Sequence, residues 1–284
     1  MLFHTWYTGR IMRTQWESPY QTPAYYEGLL QAGVPMEKLE TPQGVIYFDC
    51  SSAIPTAWEL SATTPVDLAT LKGRAAYRLC ASSEQRNDSY YTLALGALDP
   101  RFSNRFMRNV KKAKAAMPLA SLELAETDRQ LQQALAQFAD HPDRRDNIAQ
   151  PDFTRRVKAL GEAGAMLTYA LLNDGEVIAT ACALTSSTQA NMRYYTAERI
   201  NQAGHLLQYW VIDNLFTNKA LDIVDLSGVS PLSDNETMSG IDEFKRQIGG
   251  TTLEFERLQP LICRHAAAPP HTFYCKHIDF SRNV

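Results

Sequence analysis

The sequence predicts an α/β protein whose C-terminal half contains a mixed sheet. Three runs in which apolar and polar positions nearly alternate, AMLTYALL, EVIATACAL and ANMRYYTA, indicate three strands. Asn173-Asp174-Gly175 joins the first two, and Asp-Gly supplies the positive φ angles of a tight hairpin turn. After Gly204 the apolar period changes from two to that of a helix, and LDIVDL (Leu221 to Leu226) follows as a buried strand. A strand–helix–strand order of this kind favours a parallel, right-handed crossover.

Composition indicates an ordinary globular protein. The chain has 284 residues, 45% hydrophobic and 21% charged, which suffices for one large or two ordinary domains. A net charge of −3 gives no general attraction to DNA or to an anionic membrane. The five cysteines form no CxxC pair, residues 1–10 contain no apolar signal core, and no apolar run is long enough for a membrane span. We therefore expect a cytoplasmic protein.

The first hundred residues contain a short helix and several strands. YQTPAYYEGLLQAGVP (Tyr20 to Pro35) predicts a helix between two prolines. Gly44 to Cys50 predicts a strand, and Ala75 to Ala81 and Tyr90 to Leu95 are two further strand candidates. This region is α/β in character, but its periodicity does not predict the connectivity.

A basic helix is predicted over residues 101–117. One side of it is apolar, and the other carries a stripe of four cations with no acidic residue in the segment. The stripe consists of Arg101, Arg105, Arg108 and Lys112. A solvated helix face and a cradle for phosphate groups both account for it, since Arg forks match phosphate oxygens.

Four further elements are predicted by their patterns. Ser121 to Leu124 is a short strand candidate, and Thr127 to Ala139 and Phe153 to Leu160 are amphipathic helices. Thr251 to Arg264 and Phe273 to Phe280 indicate two strands near the C-terminus.

Several familiar motifs are absent from the sequence. It contains no Walker loop, no GxGxxG, no HExxH and no GxSxG. A C-terminal group of thiols and imidazoles has a spacing that matches no standard zinc finger, so no metal is expected. Its members are Cys263, His265, His271, Cys275 and His277.

Four segments together carry a family resemblance: EVIATACAL, MRYYTAE, AGHLLQYWVIDNL and GIDEFKRQIGG. They resemble the FemABX branch of the GNAT acyltransferase superfamily. The most specific segment, Gly240 to Gly249, is similar to the pattern Gly-Leu-x-x-Phe-Lys-x-x-Phe-Gly, with Ile241 and Ile248 as departures. RFMRNVKKAKA resembles the basic helix that precedes the second of two GNAT-like modules in that family. The likeness covers about residues 101–258.

The resemblance implies a GNAT module at residues 121–284 and a degenerate GNAT-like module at residues 1–120. In this fold the donor lies in a gap between two strands, here Asn191 to Ala197 and Asp222 to Leu226. The residues implied to line the gap are Tyr194, Tyr195, Thr196, Asp225 and Ser227. The donor site implied at the start of the following helix contains Gln202, Ala203, Gly204 and His205, with Arg105 and Arg108 from the basic helix. The usual glycine-rich coenzyme A loop is reduced here to one glycine, Gly204.

The chemistry implied is acyl transfer through a tetrahedral oxyanion. Lys245 matches the family lysine that stabilises this charge, and a fixed donor of this kind is commonly the largest single catalytic term. Tyr194 or Tyr195 is implied as the proton relay. Adjacent strand residues face opposite ways, so only one of the two tyrosines can point into the gap.

Three functions are compatible with this resemblance. The first is an acyltransferase with an acyl-CoA or carrier-protein thioester donor and an amine acceptor such as an amino sugar or amino acid. The second is an aminoacyl-tRNA-dependent transferase that forms a peptide bond on a cell-wall precursor or small peptide. The third is a catalytically silent binding module. DNA is not an expected partner.

Overall fold

The computed structural model describes residues 17–41, 44–49, 60–61, 76–79, 89–139, 151–229 and 236–258. The predicted strand at residues 273–280, the last part of the strand predicted at 251–264 and the Cys/His group lie outside these ranges.

Within the described ranges, nine strands form one mixed sheet. In chain order they are β3 (Leu60–Ser61), β4 (Ala76–Leu79), β5 (Ser89–Gly96), β6 (Ser121–Leu124), β7 (Met166–Asn173), β8 (Glu176–Thr185), β9 (Gln189–Ala197), β10 (Ile223–Val229) and β11 (Thr251–Leu258). Their spatial order is β3-β4-β11-β5-β10-β9-β8-β7-β6. The pairs β9–β10 and β4–β11 are parallel and the other pairs in the sheet are antiparallel. A separate hairpin is formed by β1 (Met36–Thr41) and β2 (Gly44–Asp49).

Among the described residues, six α-helices cover the two faces of the sheet. They are α1 (Pro23–Gln31), α2 (Asn104–Ala116), α3 (Asp128–Ala139), α4 (Pro151–Glu162), α5 (Ala203–Thr217) and α6 (Glu236–Ile248). Side chains of α2, α5 and α6 contribute to one buried apolar cluster, and those of α1, α3 and α4 contribute to another. Strand β8 separates the clusters, because Ala181 and Ala183 belong to the first while Cys182 and Leu184 belong to the second. Among the described helices, none is long and apolar enough to cross a membrane.

The local predictions for the C-terminal half are confirmed. Asp174 and Gly175 turn the β7–β8 hairpin with φ angles of 53° and 82°. The predicted change of period marks α5, whose buried side includes Leu207 and Val211. Strand β10 follows α5 and pairs in parallel with β9, as the strand–helix–strand order predicts. Strand β1 was not predicted, because its sequence MEKLET is short and largely polar.

The sheet runs across the predicted domain boundary. Strand β5 lies between β10 and β11 and pairs with both, so one continuous sheet contains strands from both sides of residue 120. The boundary itself falls between α2 and β6, and the division into two modules stays a prediction.

The start of α2 is joined to the end of α6. The backbone N–H of Ser103 donates to the carbonyl of Ile248 at 2.9 Å, and the Ser103 hydroxyl donates to the carbonyl of Gln247. Gly249, with φ of 114°, makes this approach feasible because a Cβ there would lie 2.4 Å from the carbonyl oxygen of Arg101. This junction positions α6 over the sheet.

Candidate active site

A gap opens between the parallel strands β9 and β10. They pair at three positions, Ile223 with Gln189, Val224 with Ala190, and Asp225 with Asn191. Beyond that last pair, β9 continues to Ala197 and β10 to Val229 without pairing with each other. The gap therefore lies at the carboxyl ends of the two strands, where it was predicted.

A local turn in β10 accounts for the separation. Ser227 has a φ of 67°, and the pairing of β10 with β5 shifts register between Asp225 and Gly228. A bulge of this kind bends the strand and increases its twist. The buried Asp225 carboxylate accepts the Ser227 N–H at 2.7 Å, which stabilises the turn. Both predicted residues thus lie at the mouth of the gap.

Helix α6 contacts both strands that flank the gap. Lys245 Nζ donates to the carbonyl oxygen of Gly228 in β10 at 2.7 Å. Its neighbour Phe244 stacks on Tyr195 of β9, with 5.4 Å between ring centroids. Lys245 is therefore held against one wall of the gap, and the half-buried ammonium carries its charge there.

The two candidate tyrosines face opposite sides of the sheet. Tyr195 packs against the cluster formed by α2, α5 and α6 and lies on the side of Lys245. Tyr194 packs edge-to-face on Phe153 of α4, with centroids 5.1 Å apart, on the other side. Thr196 is buried and paired with β8. The structure thus places Tyr195 beside α6 and separates Tyr194 from it.

The start of α5 is packed closely against α6. Gln202 precedes the helix in a left-handed conformation with φ of 62° and makes no side-chain cap. The Ala203 N–H donates to the carbonyl of Ile200 at 2.8 Å. A Cβ at Gly204 would lie 3.5 Å from the Ala197 side chain and 3.8 Å from the Phe244 ring. The Phe244 ring therefore borders this helix terminus.

His205 links three helices. One ring nitrogen lies 3.1 Å from the Asn109 amide of α2, and the ring packs edge-on to Phe244 at 5.1 Å. Burial lowers the pKa of His205, and the nearby Arg105 guanidinium lowers it further. The imidazole is thus favoured in its neutral form.

The basic stripe of α2 is mostly exposed. Arg105 Nη1 lies 3.7 Å from the Glu243 carboxylate of α6, and both side chains are about 60% exposed (64% and 59%). An exposed pair of this kind contributes less than about 1 kcal/mol. Arg108 is exposed one turn further along, whereas Arg101 pairs with Asp99 at 2.9 Å. Arg105 and Arg108 therefore lie exposed along α2, and Arg105 is near the start of α5. Arg101 is instead directed to Asp99.

Three polar residues near the gap were not predicted as site residues: Tyr20, Asn191 and Arg193. Asn191 is fully buried and accepts hydrogen bonds through Oδ1 from the Tyr20 and Ser227 hydroxyls, each at 2.9 Å. The Arg193 guanidinium lies 5.9 Å from the centroid of the Tyr20 ring and 5.4 Å from that of Tyr194. The available signal was an Asn and an Arg inside the strand pattern ANMRYYTA, where apolar residues are the norm.

The described residues contain no group of three or more His, Cys, Asp or Glu side chains arranged to hold a metal ion.

Comparison with known proteins agrees with this geometry. The sequence profile of the acetyltransferase (GNAT) domain matches residues 100–246, more than half of the chain. The chain belongs to the GNAT acetyltransferase family. This GNAT assignment covers α2, the split strands, α5 and most of α6. No curated protein sequence matches significantly.

Solved structures share the fold of this GNAT protein at low identity. FemX superposes with a TM-score of 0.57 and 12% identity, over 84% of this chain and 90% of that one. The C-terminal domain of a putative lysylphosphatidylglycerol synthetase from Agrobacterium fabrum gives 0.52 and 15%, over 82% and 86%. A conserved protein of unknown function from Bacteroides thetaiotaomicron gives 0.56 and 9%, over 81% and 88%. The predicted GNAT fold and its likeness to FemABX proteins are therefore confirmed.

Proposed function

We propose that this GNAT protein transfers an acyl group from an acyl-CoA or carrier thioester to an amine acceptor in the gap between β9 and β10. The observation that carries the proposal is the position of Lys245, whose ammonium is held against the gap wall by the Gly228 carbonyl. A cation fixed in place before reaction stabilises developing negative charge without reorganisation.

The reaction assigns a separate role to each group. The acceptor amine attacks the thioester carbonyl carbon, and the carbonyl oxygen becomes an oxyanion beside Lys245. The intermediate then collapses, the C–S bond breaks and the amide forms. The proton that the amine loses passes to solvent, from which Tyr195 regains the proton that it gives to the thiolate. The departing thiolate takes a proton from Tyr195, the tyrosine on the same side as Lys245. Tyr194 is the less suitable relay because it packs on the opposite face.

The donor's phosphates are assigned to the start of α5 and the adjoining part of α2. Helix N-termini favour anions, and guanidinium groups bind phosphate oxygens. The groups that would serve are Gln202, Ala203, Gly204, His205, Arg105 and Arg108. Thr196, Asp225 and Ser227 would shape the gap in which the thioester lies.

A second candidate is an aminoacyl-tRNA donor, with a cell-wall precursor or small peptide as the acceptor. It is favoured by the start of α5, where the Phe244 ring lies beside Gly204 and a single glycine stands in place of the usual glycine-rich coenzyme A loop. The exposed cations of α2 supply backbone contacts for a polynucleotide, and Lys114 lies over the Tyr209 ring at 4.7 Å.

Donor binding separates these functions. The melting temperature is measured with coenzyme A, with charged tRNA and with uncharged tRNA, together with amine-dependent release of free thiol from acetyl-CoA. Coenzyme A at 100 times its Kd should stabilise the fold by about 2.7 kcal/mol. Stabilisation by charged tRNA alone would support the second candidate. An absence of stabilisation and turnover with both donors would indicate a silent binding module.

A further inference from the structure

A polar cluster lies on the face of the sheet opposite to α6, next to the gap. Its members are Tyr20, Asn191, Arg193 and Tyr194. Tyr20 connects them, since its hydroxyl donates to Asn191 Oδ1 and its ring lies beside the Arg193 guanidinium. Tyr20 and Tyr194 belong to the apolar cluster of α1, α3 and α4, which defines the face. The cluster is thus separate from the Lys245 side.

Arg193 is placed there by a bulge in β9. Cys182 of β8 pairs with Tyr194 and Ala183 pairs with Met192, so Arg193 is the extra residue without a partner in β8. Bulges redirect side chains and are frequent beside active sites. Within the described part of the chain, no carboxylate forms an ion pair with Arg193.

The environment of Arg193 leaves its N–H edge suited to a planar anion. Its guanidinium lies over the faces of two tyrosines, which orients it through the π surface. A guanidinium carries five N–H donors in its plane, at right angles to this ring contact. A carboxylate matches such a fork through two parallel hydrogen bonds.

Asn191 supplies a second, independent indication of a ligand. Its Oδ1 is bonded to two hydroxyls, whereas its Nδ2 is buried and has no hydrogen-bond partner in the described residues. A buried donor without a partner is costly, so such groups are commonly satisfied by a ligand or an ordered water. Asn191 lies two residues before Arg193 on β9, about 7 Å along the strand, and at the position where β9 and β10 separate.

We infer that this cluster binds the acceptor, and that the acceptor is an amino acid or peptide bearing a free carboxylate near its reacting amine. The inference rests on the proposed acyl transfer. Arg193 binds the carboxylate, and Asn191 Nδ2 donates to an oxygen of the same molecule closer to the gap. The acceptor thus approaches from the Tyr20 face, while the oxyanion faces Lys245 across the gap.

The test is a binding measurement without donor, by ligand-observed NMR at millimolar concentration. The probes are glycylglycine, glycylglycinamide, which lacks the carboxylate, and phosphoethanolamine, which replaces it by a phosphate. Wild type is expected to bind glycylglycine at least about tenfold more tightly than the other two, as for one charge-assisted hydrogen bond. Arg193→Gln should abolish this preference, and Arg193→Lys should retain only part of it because the fork is lost.

Arg129→Gln is the matched control, because Arg129 is an exposed arginine on α3. It should leave the preference unchanged. The inference is overturned if wild type binds no probe, binds the amide equally well, prefers phosphoethanolamine, or if Arg193→Gln keeps the preference. Carboxylate-selective binding without thioester turnover would refute the acyl-transfer proposal and leave this site standing. Thioester turnover without carboxylate-selective binding would support the acyl-transfer proposal and refute this acceptor site.

Discussion

Replacing Lys245 by methionine removes the ammonium and retains most of the apolar stem. This ammonium donates a hydrogen bond of 2.7 Å to the Gly228 carbonyl. A hydrogen bond to a charged group contributes about 1.5–3 kcal/mol, and partial exposure reduces this to about 1–2 kcal/mol. In a chain of this size such a loss lowers the melting temperature by a few degrees, about 2–4 °C for each kcal/mol.

The expected effect on rate is much larger than the effect on stability. Loss of one oxyanion donor lowers kcat by about 10²–10³-fold. The Kd of the donor should change little, because the charge that Lys245 stabilises exists only in the transition state. Lys245→Arg should restore little of the rate, since the planar fork differs from the ammonium in reach and geometry.

The assay measures kcat, donor Kd and melting temperature for wild type, Lys245→Met, Lys245→Arg and a control, Lys158→Met. Lys158 is a suitable control because it lies on α4, on the opposite face of the sheet from α6. Its ammonium bonds to Asp128 of α3 at 2.8 Å. Lys158→Met should change kcat by less than twofold, in keeping with a surface substitution. Near-normal turnover in Lys245→Met would show that the lysine only connects α6 to β10.

Three further predictions concern α2, α5 and α6. Burial lowers the pKa of His205, so as the pH falls the unfolded chain takes up this proton before the folded chain does. The folding stability should therefore fall as the pH drops below about 6.5. His205→Gln should flatten that part of the curve of melting temperature against pH. Arg105→Glu combined with Arg108→Glu should weaken coenzyme A binding by about tenfold or more with little change in melting temperature. An unchanged affinity would show that these two arginines only form a solvated face of α2. Gly249→Ala should destabilise the fold by about 2 kcal/mol or more, because its Cβ would clash with the Arg101 carbonyl. Gly240→Ala is the control, since a Cβ there has open space around it and should not destabilise the fold. Equal melting temperatures for the two variants would contradict the described junction of α2 and α6.

Much of the fold follows from local sequence pattern. The Asp174-Gly175 turn sets the β7–β8 register, and alternation along β8 assigns Ala181 and Cys182 to opposite cores. The helical period after Gly204 predicts α5, because burying one face stabilises a helix in a protein. These features depend on residues close together in the sequence, so the pattern contains the information.

The site depends on contacts that no local pattern encodes. Ser227 adopts a positive φ, which is unusual for a serine, and the bulge it forms determines where the strands separate. The alternation of β9 showed that Tyr194 and Tyr195 face opposite sides, but only the packing of Phe244 shows which one faces α6. Tyr20 reaches Asn191 from 171 positions away in the sequence. Long-range contacts of this kind became visible only in the folded chain.

The junction between α2 and α6 gives a physical reason for the extent of the family resemblance. The resemblance began near residue 101 and ended near residue 258, although the candidate catalytic lysine lies at 245. Ser103, at the start of α2, bonds to the carbonyls that end α6, and the bridge from Phe102 to Gly249 extends this contact. Strand β11 then pairs with β5 directly after Gly250. The basic helix and the lysine helix are thus one structural unit, and a change at Ser103 or Gly249 is expected to move Lys245 relative to Gly228. Both helices are therefore required to place a cation at the gap, although residues 117–235 lie between them in the sequence.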